Sequence, residues 1–202
     1  MKKVLAIALA LTMILALVSC GGNTTTTSSV DTPVSSEETT TPVVEGGDEA
    51  LAVLNAIYAV YPEDYKVFVG GDENNMNSEG PGKYGISDAE VLTAMFQFPA
   101  ESISKVKGAA NLMSMMLQNQ FTVAAFELAN PADKEALATE LTTAFKNAQW
   151  MCGLPENIFV ASIGDVVISG YGLKELIDVF ETALKTAYPD ATIYTSEALE
   201  VR

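Results

Sequence analysis

The sequence predicts an α+β domain built on an antiparallel sheet, and three observations predict it. From about residue 119, strand-like and helix-like apolar patterns follow in the order strand, helix, strand, strand, helix, strand. Gly164-Asp165 lies between two β-rich runs, and a glycine-led pair in that position is a two-residue hairpin turn. Each helical pattern carries a single apolar stripe, which one sheet face is enough to bury. The expected architecture is a two-layer sandwich, with an antiparallel sheet and helices on one face, of the ferredoxin-like βαββαβ kind. Earlier helices would cover an edge or part of the second face.

The elements follow in chain order. Asp48-Glu49 place negative charge at a helix start, and Leu51, Leu54, Tyr58 and Tyr61 recur at helical spacing before Pro62. Gly70 to Gly85 is dense in glycine, asparagine and acid, and reads as a long exposed loop. Ser87-Asp88-Ala89-Glu90 reads as a capping box opening a short helix over 88–96, which ends before Pro99. The stretch 102–118 is ambiguous: Ala109, Ala110, Leu112, Met113, Met116 and Leu117 favour helix by propensity. The following Gln118 to Leu128 reads as a buried strand, and an earlier start within 102–118 is the alternative to helix there.

Asn130-Pro131-Ala132-Asp133 supplies an N-cap, a first-turn proline and an acid for a helix striped by Leu137, Leu141, Phe145 and Ala148. Gly153 and Pro155 close it. Ile158 to Ile163 and Val166 to Ser169 form the hairpin, and glycine supplies the positive φ that a type II′ turn needs. Leu173, Leu176, Ile177, Phe180, Ala183, Leu184 and Ala187 stripe a last helix, stopped by Pro189, and Ala191 to Tyr194 suggests a final strand.

Ahead of this domain stands a different kind of sequence. Lys2 and Lys3 precede an apolar stretch from Val4 to Val18 that ends in Leu17-Val18-Ser19-Cys20. At ~15 residues the stretch is shorter than the ~20 a spanning helix needs, so residues 1–19 read as a secretory signal. The four-residue box resembles that of bacterial lipoproteins, and the resemblance implies cleavage before Cys20 and a diacylglyceryl group on its thiol. Two acyl chains hold a protein durably at a bilayer where one does not. Residues 20–47 combine the lipidated cysteine with a Ser/Thr-rich run holding Pro33 and Pro42 and no aromatic residue. Such a composition predicts a disordered tether with an end-to-end reach on the order of 30 Å. Residues 48–202 then form a single α+β domain.

Charge narrows the partners. The chain carries a formal charge of −15, and loss of Lys2 and Lys3 would bring it to −17. The remaining basic residues are scattered, which excludes nucleic acid as a partner. Histidine is absent, which removes Ser-His and Cys-His nucleophile pairs and histidine zinc sites. With Cys20 acylated, Cys152 has no partner within the chain for a disulfide.

Four clusters invite a chemical reading, and each has a plainer one. Cys152, beside Trp150 and Met151, is expected as a buried hydrophobe, because it follows a helix C-terminus, whose dipole raises a thiol pKa. Met113, Met115 and Met116, with Met95 and Met151, hold soft thioether ligands for Cu(I) but are expected as core filler or adaptable surface. Asp72, Glu73, Asn74, Asn75, Asn77 and Glu79 fail the EF-hand count, with Met76 fifth, Asn77 sixth and Lys83 twelfth, so a solvated loop is expected. Gly80-Pro81-Gly82-Lys83-Tyr84 likewise misses a P-loop. Tyr58, Tyr61, Tyr65, Phe68, Tyr84 and Tyr171 offer rings for a groove but are expected as core and rim.

The lipobox, the tether, the helix around Leu51 to Tyr61 and the strand, helix, hairpin order from Phe121 to Tyr171 together resemble uncharacterised lipoproteins of clostridial-type Gram-positive bacteria. The resemblance implies no activity and no site residues. The expected function is that of a membrane-anchored extracytoplasmic lipoprotein, held on the outer face of the cell membrane and serving as a non-catalytic binding or protein-interaction module. Its partner would be an envelope protein or a cell-wall polymer, and no cofactor or metal is expected. Two alternatives remain: a small carboxylate-based hydrolase directed at the cell wall, or a lipoprotein that binds a small ligand or metal. The domain is too short for a two-lobed solute receptor.

Overall fold

The computed structural model describes residues 46–151 and 153–200. The signal segment, Cys20, most of the tether and Cys152 lie outside the described residues.

A six-stranded sheet forms the spine of the domain. Its strands are β1 (Gly82–Tyr84), β2 (Val106–Met113), β3 (Phe121–Leu128), β4 (Asn157–Ile163), β5 (Val166–Gly172) and β6 (Thr192–Ala198). They lie side by side in the order β1-β2-β3-β5-β4-β6, and every adjacent pair is antiparallel. The helices are α1 (Asp48–Ala59), α2 (Ala89–Phe96), α3 (Lys134–Asn147) and α4 (Lys174–Ala187). The α+β class, the antiparallel sheet and the extra N-terminal helices are as the sequence predicts.

Two separate cores sandwich that sheet. On one face Phe121, Val123 and Ala125 of β3, with Phe159 and Ile168, meet Leu54 and Ile57 of α1 and Ile177, Phe180 and Leu184 of α4. On the other, Ala124, Phe126 and Leu128 of the same strand, with Val160 and Val167, meet Leu92 and Phe96 of α2 and Leu137, Leu141 and Phe145 of α3. Each large side chain removed from water this way contributes ~1.5–3 kcal/mol. The sheet is covered twice, so the two-layer, one-face arrangement gives way to three layers.

Strand order explains the difference. The crossovers β3-α3-β4 and β5-α4-β6 both step in the same lateral direction, each passing over one strand, while β3 and β5 run antiparallel. Two right-handed crossovers of that kind must place their helices on opposite faces. In a ferredoxin-like sheet the last strand returns beside the first and reverses the second step, which brings both helices to one face. Here β2 occupies that place beside β3, and β6 pairs with β4 instead.

Local corrections follow the same logic. Within the ambiguous stretch, Val106–Met113 is strand β2, not α-helix: its Ala109, Ala110 and Asn111 pair with both β1 and β3, and ladder pairing overrides alanine's helix propensity, while residues 102–105 end a short 3-10 helix. Within the long glycine-rich loop, Gly82–Tyr84 adds a short edge strand to β2. The cap of α2 is Asp88 rather than Ser87, accepting from the N–H groups of Glu90 and Val91. The final strand begins at Thr192 and extends to Ala198. Gly164 turns the hairpin at φ 52°, and Asp165 is not left-handed, as the type II′ turn requires. No helix among the described residues is long and apolar enough to cross a membrane.

Candidate functional site

A groove with a volume of about 590 Å³ runs along α4 beside the end of α1. That size is within the ~300–1,000 Å³ of small-molecule and peptide-anchor sites. Its floor is apolar, made by Val60, Pro62, Val179 and Ala183, and its rim carries Glu156, Lys174, Glu175, Asp178, Thr182 and Thr186. One stripe of α4 supplies most of it, because Glu175, Val179, Thr182 and Thr186 succeed one another at spacings of four, three and four.

Three contacts set the groove's shape. Glu156, just before β4, accepts the Lys174 backbone N–H through Oε2 at 2.8 Å, serving the start of α4 where Leu173 has no capping side chain. Lys174 Nζ pairs with Asp178 Oδ2 at 2.5 Å, one turn on. The Tyr65 hydroxyl donates to Glu175 Oε1, tying α4 to the segment after α1. That bond holds the Tyr65 phenol above its ordinary value of 10.0, with the Glu175 charge adding to it. Each rim carboxylate therefore already has a protein partner.

The carboxylates whose titration is displaced lie elsewhere and move away from general-acid behaviour. Burial alone would raise Glu140, yet bonds from the Lys105 ammonium and the Ser102 hydroxyl outweigh it and hold the group low. Glu181 is held low in the same way by Lys185 and Ser196. A catalytic proton donor at neutral pH needs the opposite displacement.

The sequence clusters separate in space. Asp72 is a loop clasp: its Oδ1 accepts from the Asn74 and Asn75 N–H groups and from Asn75 Nδ2, and its Oδ2 accepts from the Gly85 N–H at 2.9 Å. Burial opposes ionisation there, but these four bonds prevail and keep the carboxyl below its usual range. Among the described residues no three histidine, cysteine, aspartate or glutamate side chains gather to hold a metal.

Tyr58, Tyr61 and Phe68 belong to the α1–α4 core, with Phe68 stacked on Phe121 at 4.3 Å between ring centroids. Tyr171 lies in the other core, edge-on to Phe145 and Trp150. Of the five methionines in that cluster, Met115, Met116 and Met151 are exposed, so for these three the reading as surface holds and core filler does not. Met115 and Met116 sit in the turn between β2 and β3, while Asn119 clasps the Met151 segment nearby through the Met151 and Gly153 carbonyls.

None of the sequence clusters contains the α4 groove. Val60 and Pro62 lie more than a hundred positions from the α4 residues they face, and only the Glu175, Val179, Thr182, Thr186 spacing hints at the groove. Comparison with protein-family models, curated proteins and solved structures finds no match for the chain.

Proposed function

We propose that the protein is an acyl-anchored binding module of the bacterial cell envelope that engages a partner through the groove between α1 and α4 without chemically changing it. One observation carries this reading: an apolar floor of Val60, Pro62, Val179 and Ala183 lies open while the carboxylates around it are engaged by Lys174 and Tyr65. Carboxylates held in that way shape a rim, and the floor offers burial of an apolar side chain. Glu156, Glu175 and Asp178 outnumber Lys174, so the rim favours an apolar anchor flanked by basic groups.

The lipobox at Cys20 and the tether behind it support placement on the outer face of the cell membrane, where envelope proteins and wall polymers are the accessible partners. Anchoring to the same membrane raises the local concentration of the domain near such partners.

The test is recovery of partners from intact membranes with the native chain and with Thr182→Arg, which fills the groove from an exposed position and leaves the core untouched. A stoichiometric partner held by the native chain and lost by the variant is the expected result. Hydrolysis of a cell-wall fragment by the purified protein would overturn the reading.

A further inference from the structure

Three connecting segments meet at one end of the sheet. Met115, Met116 and Leu117 occupy the turn between β2 and β3, Met151 and Leu154 lie on the segment before β4, and Leu173 links β5 to α4. Asn119 Nδ2 donates to the Met151 and Gly153 carbonyls at 2.8 and 2.6 Å, and the Leu173 N–H donates to the Gln120 carbonyl at 2.8 Å, which gathers the segments into one tip. We propose that this tip inserts into the surface of a lipid bilayer and so fixes the orientation of the domain on the membrane.

Exposure and charge single the tip out. Its six side chains are six of the eleven large apolar side chains that stand exposed among the described residues. Exposed apolar residues scattered singly need no partner, whereas such a concentration marks a contact surface. No charged residue occurs in 108–126 or in 147–155, although the chain carries −15 overall. The tip therefore enters an apolar medium without stripping a charge of water. The acidic remainder of the domain is repelled by anionic headgroups and offers no competing contact. Glu156 and Lys174, the charges next along the chain, are already engaged: Glu156 holds the Lys174 backbone N–H, and Lys174 Nζ pairs with Asp178.

Shape and reach select a bilayer over a protein. The six side chains stand on turns and links, and none of them lines the α4 groove. Projecting side chains suit a fluid medium that closes around them, and unbranched, flexible methionine adapts to it. The inference rests on the acyl anchor of the proposed function, which keeps a bilayer close. Residues 20–45, between the anchor and the domain, extend to at most ~90 Å. They join the domain at Gly46, which lies against Lys107 and Gly108 at the start of β2, and the tip follows the other end of that strand, ~26 Å on. The connection is thus long enough for the tip to turn back onto the membrane.

The experiment takes the chain extracted from native membranes, reconstitutes it in phosphatidylcholine vesicles, floats the vesicles on a density gradient and treats them with dilute peroxide. Met76 in the Asp72 loop is 69% exposed, as is Met115, and serves as the internal standard. Met115, Met116 and Met151 should oxidise several-fold more slowly than Met76. Met116→Asp places a charge at the most exposed of the six positions and belongs to neither core. It should return Met115 and Met151 to the Met76 rate while the chain still floats. Tip methionines that oxidise at the Met76 rate in a floating native chain overturn the proposal and leave the anchor standing, whereas a chain that fails to float overturns both. Protection in native membranes but not in pure lipid assigns the tip to an envelope protein, and that result, or protection that survives Met116→Asp, likewise overturns the bilayer assignment.

Discussion

The Glu127 carboxylate reaches from the central sheet to the Gly47 backbone N–H at 3.1 Å, joining the point where the chain enters the domain to strand β3, eighty positions on. Its other oxygen pairs with Lys107 Nζ at 3.0 Å, so one nearly buried acid fastens both β2 and the start of α1. Glu127→Ala leaves the Gly47 N–H without its acceptor, and a loss of ~1–3 kcal/mol is expected in urea unfolding. A variant as stable as the native chain would refute this role.

Gly47 is itself constrained. Its φ is 78°, and a Cβ there would stand 2.6 Å from the Ala109 carbonyl oxygen of β2. Gly47→Ala therefore combines a left-handed backbone with a collision against strand backbone, and should cost more than ~1 kcal/mol. The same denaturation measurement checks it, with an unchanged midpoint as the contrary result.

Acid should weaken the fold through Glu140. Its folded-state pKa lies below the ordinary 4.5, because the Lys105 and Ser102 bonds outweigh burial. A group depressed in the folded state binds protons more readily once unfolded, so its stabilisation is complete above 4.5 and is lost as pH falls through the folded value. Asp72 and Glu181 contribute with the same sign. Stability measured downward from about pH 5 should decline, and less steeply in Glu140→Gln. Identical slopes for the two chains would contradict the assignment.

Tyr171 links three elements. Its hydroxyl donates to the Met95 carbonyl of α2 at 2.9 Å and accepts from Gln118 Nε2 at 2.9 Å, beside the start of β3. Tyr171→Phe keeps the ring in its core and removes both bonds, while Gln118 Nε2 still donates to the Met95 carbonyl, so the change should cost about 1 kcal/mol. Thermal unfolding of the variant tests this.

Met115, Met116 and Met151 are exposed by 69%, 87% and 78%, so dilute peroxide should convert them to sulfoxides well before half-buried Met113. Peptide mapping during limited oxidation reads the order, and simultaneous oxidation of all four would contradict the structure.

Much of this fold was legible in the sequence, and the failures have definite physical causes. Proline, glycine and periodicity placed α1, α3, the β4–β5 hairpin and α4, because those signals act within a few residues. Layering was decided by pairing between distant strands. Still, β3 and β5 are buried at every position, and such mostly apolar runs, interrupted here only by Thr122, Glu127 and Ser169, mark strands covered on both faces. That signal was present in Phe121 to Leu128 and pointed to three layers. Strand β2 was obscured by its alanines, of which Ala110 packs in the α1 core and Ala109 in the opposite one. The α4 groove was largely illegible, since Val60 and Val179 meet only after α1 and α4 settle on the same face.

Acylation at Cys20 is the claim on which the proposed role rests, and intact-mass measurement of protein extracted from native membranes tests it most directly. The account predicts a chain that begins at Cys20 and carries the mass of a diacylglyceryl group on its sulfur. A chain that retains residues 1–19, or a Cys20 thiol without lipid, would contradict it.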